Sequence, residues 1–184
     1  TGVDAGASTN EALTAGVYSG GATSTNTGGL LETGQTGYRV HVFGDTSPPA
    51  AQGTTVVNFV VAATTTCDIM IVAGGGGGSS GPTHLGNGGG GGGAGGMLVL
   101  ASQSLAAGTY IVTVGGGGSG GVYNGGGGQG AASSPWGRQG INSSVICSAT
   151  SYSKTAYGGG ASSNEDNSSL LSSMHGGSGG GYHT

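Results

Sequence analysis

The chain has 184 residues, of which 48 are glycine, and its formal net charge is −4 with only three lysine and arginine residues. Binding to phosphate groups requires several cations, because each contact with a nucleic acid displaces counterions from the backbone. The composition therefore argues against nucleic acid and against an anionic membrane surface as partners. No stretch approaches the length of apolar sequence that a membrane-spanning helix requires, so membrane insertion is not expected.

The low content of charged residues also helps to decide whether the chain is ordered or disordered. Charged residues make up 5% of the chain, whereas disordered proteins combine low hydrophobicity with high net charge. The apolar residues, 34% of the chain, are concentrated in β-branched segments. We therefore expect an ordered protein that uses an unusual backbone.

The first 37 residues are mostly small and polar. They predict an extended N-terminal segment, over residues 1–37, that is available to dock on a partner. Within it, residues 11–13 could form one helical turn. Residues 38–184 form the second predicted unit, a domain of β-strands and glycine-rich segments.

Five β-branched or aromatic segments follow in chain order and predict strands, because each is short and is bounded by Gly, Pro, Ser or Asp. They are residues 38–43, 54–61, 67–72, 97–100 and 109–114. Sustained helical periodicity is absent. The predicted fold is therefore all-β and irregular, with a small antiparallel sheet joined to glycine-rich segments and little or no α-helix.

Glycine runs lie between and after these strands. The main ones cover residues 74–78, 88–93, 115–118, 125–128, 158–160 and 176–181, the last interrupted by a serine. One interpretation is a set of flexible linkers, since ordering glycine costs more backbone entropy than ordering any other residue. The other is an ordered frame, because strands lead directly into the runs and the runs recur with similar lengths.

The ordered interpretation is a bundle of polyglycine-II helices. Such helices have about three residues per turn, rise about 3.1 Å per residue and make no internal hydrogen bonds, so their amides and carbonyls must pair with neighbouring backbones. A Cβ atom that faced the interior would block this approach, and Gly91→Val should therefore cause misfolding. The structural glycines predicted in this way are Gly74, Gly75, Gly76, Gly90, Gly91, Gly92, Gly116, Gly117, Gly126, Gly127 and Gly159.

The order of strand, glycine run, loop, glycine run and strand resembles a known glycine-rich module. The resemblance is carried by residues 68–78, 88–98, 107–116, 142–145 and 156–160, and it covers residues 38–181. Such modules occur in phage tail-fibre adhesins, in other virion surface proteins and in the extracellular region of anaplastic-lymphoma-kinase-type receptors. The resemblance implies a polyglycine-II bundle joined to a small sheet. Residues 131–155 depart from the pattern, because they are richer in side chains than a simple turn.

The same resemblance implies a non-enzymatic viral protein of the virion surface, a tail-fibre or fibre-tip component that contacts the host through loops between glycine runs. Its expected partners are other virion or fibre subunits, as a homo-oligomer or a cap on a trimeric fibre, and a host surface glycan or protein. The alternative is a purely structural subunit of a virion or extracellular filament, whose loops make only assembly contacts.

Aromatic side chains beside the glycine runs are the candidates for such contacts, because rings stack on sugars and anchor interfaces. The candidate receptor or partner contacts are His84, Tyr123, Trp136, Tyr152 and Tyr157. In the alternative interpretation these rings pack within the bundle or between subunits. An adhesin should expose Tyr123 and Trp136 on one tip, whereas an assembly subunit should bury them.

Patterns typical of catalysis or cofactor binding are missing from the sequence. Matches to G-x-G-x-x-G arise from composition alone and open no helix, so they do not indicate a dinucleotide site. The acidic cluster at residues 164–167 offers only part of the roughly 6–8 oxygen ligands that calcium takes and predicts a solvated loop. We expect no catalytic residue, cofactor or metal.

The two cysteines, Cys67 and Cys147, lie in different predicted segments. Two cysteines placed in this way do not form a zinc signature. Their separation is compatible with a disulfide and also with two buried free thiols, and the sequence leaves both states open.

Overall fold

The computed structural model describes residues 30–32, 40–44, 53–80, 89–122, 136–164 and 182–183. This part of the chain consists of strands, glycine-rich segments and one 3-10 turn at Ser148–Thr150. It contains no helix that is long and apolar enough to cross a membrane. The prediction of a mostly β protein with antiparallel sheets and essentially no helix is confirmed.

Ten strands are described. They are β1 (Leu30–Glu32), β2 (Val40–Val42), β3 (Thr54–Val61), β4 (Thr65–Val72), β5 (Met97–Leu105), β6 (Gly108–Gly115), β7 (Ser143–Cys147), β8 (Tyr152–Ala156), β9 (Ser163–Asn164) and β10 (Tyr182–His183). A four-stranded antiparallel sheet has the order β3-β6-β7-β8. Strands β4 and β5 form an antiparallel pair, as do β1 and β2, whereas β9 and β10 pair in parallel.

The hydrophobic core collects the inward-facing side chains of the four-stranded sheet and of the β4–β5 pair. Successive side chains of a strand point to opposite faces, and in β6 this alternation buries Tyr110, Val112 and Val114. Phe59 of β3 lies opposite Tyr110 in the register. Ile69 and Ile71 of β4 belong to the same cluster, so one core joins the two sheets.

The five predicted strands are found, most of them with different ends, and the other five described strands, β1, β7, β8, β9 and β10, were not predicted. The segment 54–61 matches β3 to the residue, whereas β5 extends five residues beyond the predicted 97–100. Strand β7 and all but the last residue of β8 lie within the segment 131–155 that departs from the family pattern. Strand β1 lies within the predicted N-terminal segment and pairs with β2.

Five glycine-rich segments without strand pairing lie beside the sheets, and we call them the first to fifth runs. They are residues 73–80, 89–96, 116–122, 136–142 and 157–162. Backbone hydrogen bonds of 2.7–3.3 Å join each run to at least two others. The first run is central, because it bonds to all four of the others.

These bonds recur at intervals of three residues. In the first run the amides of Ala73, Gly76 and Ser79 donate to the second run. The amides of Gly118 and Gly121 in the third run donate to carbonyls of the first run with the same interval. A strand repeats every two residues, so these runs are extended segments of a different kind.

Glycine is required in the central run because carbonyl oxygens approach it from several sides. A Cβ atom on Gly76 would fall on the carbonyl oxygen of Gly160, and one on Gly77 would fall on that of Ser119. None of these backbones has the positive φ that favours glycine for conformational reasons. The requirement is therefore one of space, which only a hydrogen side chain satisfies.

A peripheral run needs glycine only where it faces the centre. In the fourth run a Cβ on Gly137 or Gly140 would meet a carbonyl of the first run. The positions between and around them carry large side chains, including Trp136, Arg138 and Ile141. Glycine at every third position is thus sufficient for a run that has central contacts on one side only.

The predicted structural glycines differ in how crowded they are. A Cβ would strike a carbonyl oxygen at Gly74, Gly76, Gly92 and Gly159, and it would make ordinary contacts of 3.6 Å at Gly75 and Gly117. The backbones of Gly90 and Gly116 take part in the bonds between segments. At Gly91, by contrast, nothing lies within 4 Å of a Cβ, so the expectation that Gly91→Val causes misfolding is not supported. Gly126 and Gly127 lie outside the described residues.

Ser162→Ala is expected to stabilise the protein by up to about 1 kcal/mol, because it removes a buried hydroxyl that lacks a hydrogen-bond partner among the described residues. Ser162 is 1% exposed, and none of the residues that the structure describes pairs with its Oγ. Ser143, which is 2% exposed, accepts a 2.9 Å hydrogen bond from the Gly115 amide at its Oγ. Ser143→Ala is therefore the matched control and should destabilise by about 1–3 kcal/mol. Urea unfolding would compare the two, and a loss of stability in Ser162→Ala would contradict the prediction.

Candidate functional site

The five runs share a common arrangement of their ends. Strands β4, β6 and β8 continue directly into the first, third and fifth runs, and the second and fourth runs continue directly into β5 and β7. The hydrogen-bond register makes the odd-numbered runs parallel to one another and the even-numbered runs antiparallel to them. The junctions with β4 to β8 therefore all lie at one end of the runs, which we call the sheet end, whereas β9 follows the fifth run at the opposite end.

The opposite end, which we call the far end, receives two of the four chain connections between consecutive runs, whereas the other two pass through strands at the sheet end. The Ser79 amide donates to the Gly90 carbonyl near the last residue of the first run and the first residue of the second. The Arg138 amide likewise donates to the Ser119 carbonyl near the end of the third run and the start of the fourth. The described residues that flank these two connections, 80 and 89 for one and 122 and 136 for the other, therefore lie at the far end.

Trp136 lies at the far end, because it is the first residue of the fourth run. Its side chain is partly exposed. The next amide, that of Gly137, donates to Ser162, the last residue of the fifth run, at 3.3 Å. The far end therefore presents a large aromatic side chain beside two chain connections.

Arg138 is a candidate that the sequence interpretation missed. It is exposed, lies two residues after Trp136, and is one of three lysine and arginine residues in the chain. A guanidinium donates several hydrogen bonds in a fixed planar arrangement. The small number of lysine and arginine residues in the chain was the sequence signal that could have identified it. An indole ring and a guanidinium are each suited to contact a polar partner.

His84 and Tyr123 lie outside the described residues. His84 belongs to residues 81–88, which connect the first run to the second, and Tyr123 begins residues 123–135, which connect the third run to the fourth.

Tyr152 and Tyr157 are not brought together with Trp136. Tyr152 is in β8, packs edge-on against Tyr110 with ring centroids 5.7 Å apart, and has its hydroxyl 3.4 Å from Gln103 Oε1. Burial, and then the neighbouring Cys67 and Tyr110, raise the pKa of Tyr152 to about 12. Tyr157 is 63% exposed but begins the fifth run at the sheet end. Tyr152 therefore packs in the core. Tyr157 faces solvent at the sheet end, so it cannot share a contact surface with Trp136 at the far end.

Both cysteines are free and buried. Burial, and then the nearby Asp68 carboxylate, raise the pKa of the Cys67 thiol to about 11, so the thiol stays protonated at neutral pH. Among the described residues no cluster of His, Cys, Asp and Glu could hold a metal ion. The far-end surface around Trp136 and Arg138 is thus the candidate site for binding.

Comparison with known proteins gives one match. A family model described as a glycine-rich domain matches residues 46–184. No curated protein matches the chain, and neither does a solved structure.

Proposed function

The chain belongs to the glycine-rich domain family, and from this premise we propose that it is a non-enzymatic surface module whose glycine runs form a polyglycine-II frame. The frame carries contact residues at its far end. In this proposal the protein is a virion surface component, a phage tail fibre or fibre tip, and its far end binds a host surface glycan or protein.

The three-residue interval of the hydrogen bonds supports the polyglycine-II frame. That helix has about three residues per turn and no internal hydrogen bonds, so a given neighbour should be met at every third residue. The first run meets the second at Ala73, Gly76 and Ser79 and the fourth at Gly74 and Gly77. The crowding at Gly76 and Gly77 supports the same arrangement, because helices of this type pair only when their backbones approach closely.

The grouping of the connections at the far end carries the proposal of a binding tip. Binding residues are found disproportionately on loops that a rigid scaffold positions. Here two connections between runs leave from one end, and the junctions with β4 to β8 occupy the other. Trp136 and Arg138 supply an aromatic ring and a cation near the far end, and both residue types are enriched at the energetic centres of interfaces.

The exposed apolar residues of the sheets favour a second candidate function, a subunit that makes assembly contacts. Val56, Val60, Ile111 and Ile146 are 39–59% exposed on the outer face of the four-stranded sheet. Contiguous exposed apolar surface marks interaction sites in soluble proteins. Assembly through the sheet and binding at the far end use different surfaces, so one protein could do both.

Trp136→Ala tests the binding tip. It should lower the binding of purified protein to intact host cells by at least about tenfold, as expected for an aromatic residue at the centre of an interface. The midpoint of thermal unfolding should stay near that of the wild type. Equal losses of binding and stability would instead assign the ring to packing.

The matched control is Tyr157→Ala, which removes an exposed ring from the sheet end. This variant should bind cells like the wild type. If it loses as much binding as Trp136→Ala, the contact surface is not confined to the far end. If neither variant nor the wild type binds cells, and the protein forms ordered homo-oligomers, the assembly function is favoured.

A further inference from the structure

The outer face of the four-stranded sheet consists entirely of uncharged residues. Its positions are the even-numbered residues of β3 and β7 and the odd-numbered residues of β6 and β8, all of which the structure describes. They hold only Thr, Ser, Val, Ile and Asn, with a glycine at the end of β6. The chain has three lysine and arginine residues and seven aspartate and glutamate residues, and none of them lies on this face.

The one charged residue in these four strands, Lys154 of β8, is turned away from the outer face. It lies on the same side of the sheet as Tyr152, because side chains two positions apart share a face, and its Nζ is 5.7 Å from the centroid of the Tyr152 ring. Strand β8 is at one edge of the sheet. An inward-pointing charge on an edge strand hinders edge-to-edge pairing, but it leaves the outer face neutral.

Ile111 and Ile146 form the apolar centre of the outer face. They lie directly opposite each other in the register of β6 and β7 and are 47% and 39% exposed. Val56 and Val60 of β3 are their diagonal neighbours and are also exposed. Because all the side chains here are short, the face suits a second sheet packed against it better than a small molecule that needs a deep pocket.

The size of the outer face is near the lower limit for a specific interface. It consists of two strands of eight residues and two of five. At about 3.4 Å per residue and about 4.8 Å between strands, these cover about 400 Å² in projection. Two such faces with their side chains would bury on the order of 1,000 Å² in total, which is about where specific interfaces begin. This area predicts a weak, reversible dimer.

We propose that the outer face of the four-stranded sheet is a dimerisation surface, and that its partner is the same face of a second copy of this chain. Two copies related by a two-fold axis use one surface patch twice. Such a pair would bury Ile111, Ile146 and the two valines without burying an unpaired charge, which would be costly. The inference rests on the assembly function proposed above as the second candidate, and it names the partner and the surface.

Sedimentation equilibrium of the full chain over a range of concentrations tests the dimer. The wild type should associate reversibly, with a dissociation constant in the micromolar to millimolar range. Ile111→Lys should raise that constant by at least about tenfold, because it brings like charges together across the interface. Val99→Lys is the matched control, since it adds the same charge at a residue of β5 that is 67% exposed and lies outside the outer face. This control should associate like the wild type.

Thermal unfolding of dilute samples checks that both variants fold. Should Ile111→Lys fail to fold, Ile111→Thr provides the same test with the residue type that stands two positions away on either side. It should weaken association by about threefold or more, because it removes apolar surface from the centre of the face.

The outcomes separate this inference from the proposed functions. A wild type that stays monomeric at millimolar concentration would overturn both the dimer and the assembly function. Association that is unchanged in Ile111→Lys, or weakened equally by Val99→Lys, would overturn this surface but leave assembly through another one. Trp136→Ala should associate like the wild type, because Trp136 lies at the far end, so a failure of the binding tip would leave the dimer standing.

Discussion

Gly76→Ala is expected to destabilise the protein by at least about 3 kcal/mol, the upper range for forcing extra volume into a packed interior. Gly76 lies in the central run, and its amide donates to the Gly93 carbonyl at 2.8 Å. A methyl group there would fall on the Gly160 carbonyl oxygen, which accepts the Gly93 amide at 2.8 Å. Relieving the overlap would separate the first, second and fifth runs, so several hydrogen bonds would weaken together.

Gly91→Ala is the matched control for this prediction. Both substitutions restrict the unfolded chain equally, but a Cβ on Gly91 has open space within 4 Å. The control should therefore be neutral or stabilise by about 0.4–1 kcal/mol. Gly92, the next residue, should behave like Gly76, because its Cβ would meet the Gly76 carbonyl. Free energies of unfolding in guanidinium would rank the variants, and equal values for Gly76→Ala and Gly91→Ala would contradict the close-approach argument.

Phe59→Ala is expected to destabilise the protein by about 3–5 kcal/mol, the usual range for removing a buried phenylalanine. Phe59 is 1% exposed in β3. His41 and Phe43 lie edge-on to its ring, with centroids 5.1 and 5.7 Å away. The substitution would remove the ring that holds β2 and its following residues against the core, in addition to leaving a cavity.

Val56→Ala is the control for Phe59→Ala, because Val56 lies in the same strand but is 59% exposed. It should change stability by no more than about 0.5 kcal/mol. Thermal and denaturant unfolding would both be followed. A loss below about 1 kcal/mol for Phe59→Ala would mean that the aromatic cluster contributes little to the core.

The strands that could be predicted from sequence are those rich in β-branched residues. Residues 54–61 are mostly β-branched, with one aromatic residue, as strands are, and they form β3 as predicted. Strands β7 and β8 were missed because each has five residues and serine is frequent in and around them. The Val-Ile pair of β7 and the Lys-Thr pair of β8 are too short to distinguish a strand from a loop in the sequence.

The fourth run was missed for a different reason. It contains only Gly137 and Gly140, so it does not look like a glycine run. Its glycines fall at every third position because only one side faces the central run. The three-residue interval between these glycines can be seen in the sequence. It indicates a run only once the position of the central run is known. Conversely, Gly91 looked crowded because it lies inside a long run, whereas its position in that run faces open space.

The candidate site could be predicted only in part. Aromatic residues beside glycine runs were identified from sequence, but their grouping depends on the direction of each run and therefore on the hydrogen-bond register. That register separates Trp136 from Tyr157 by placing them at opposite ends. Tyr152 is the first residue of β8, and only the packing against Tyr110 shows that it contributes to the core.

The direct continuity of strands and runs affects how the protein can change over evolution. At the sheet end no residue separates a strand from its run, so an insertion there would shift the register of both. At the far end, connections can be lengthened or exchanged without altering the hydrogen bonds below them, and surface loops tolerate such changes well. Lineages of this protein could therefore diversify by replacing whole connections while the glycine positions underneath stay fixed.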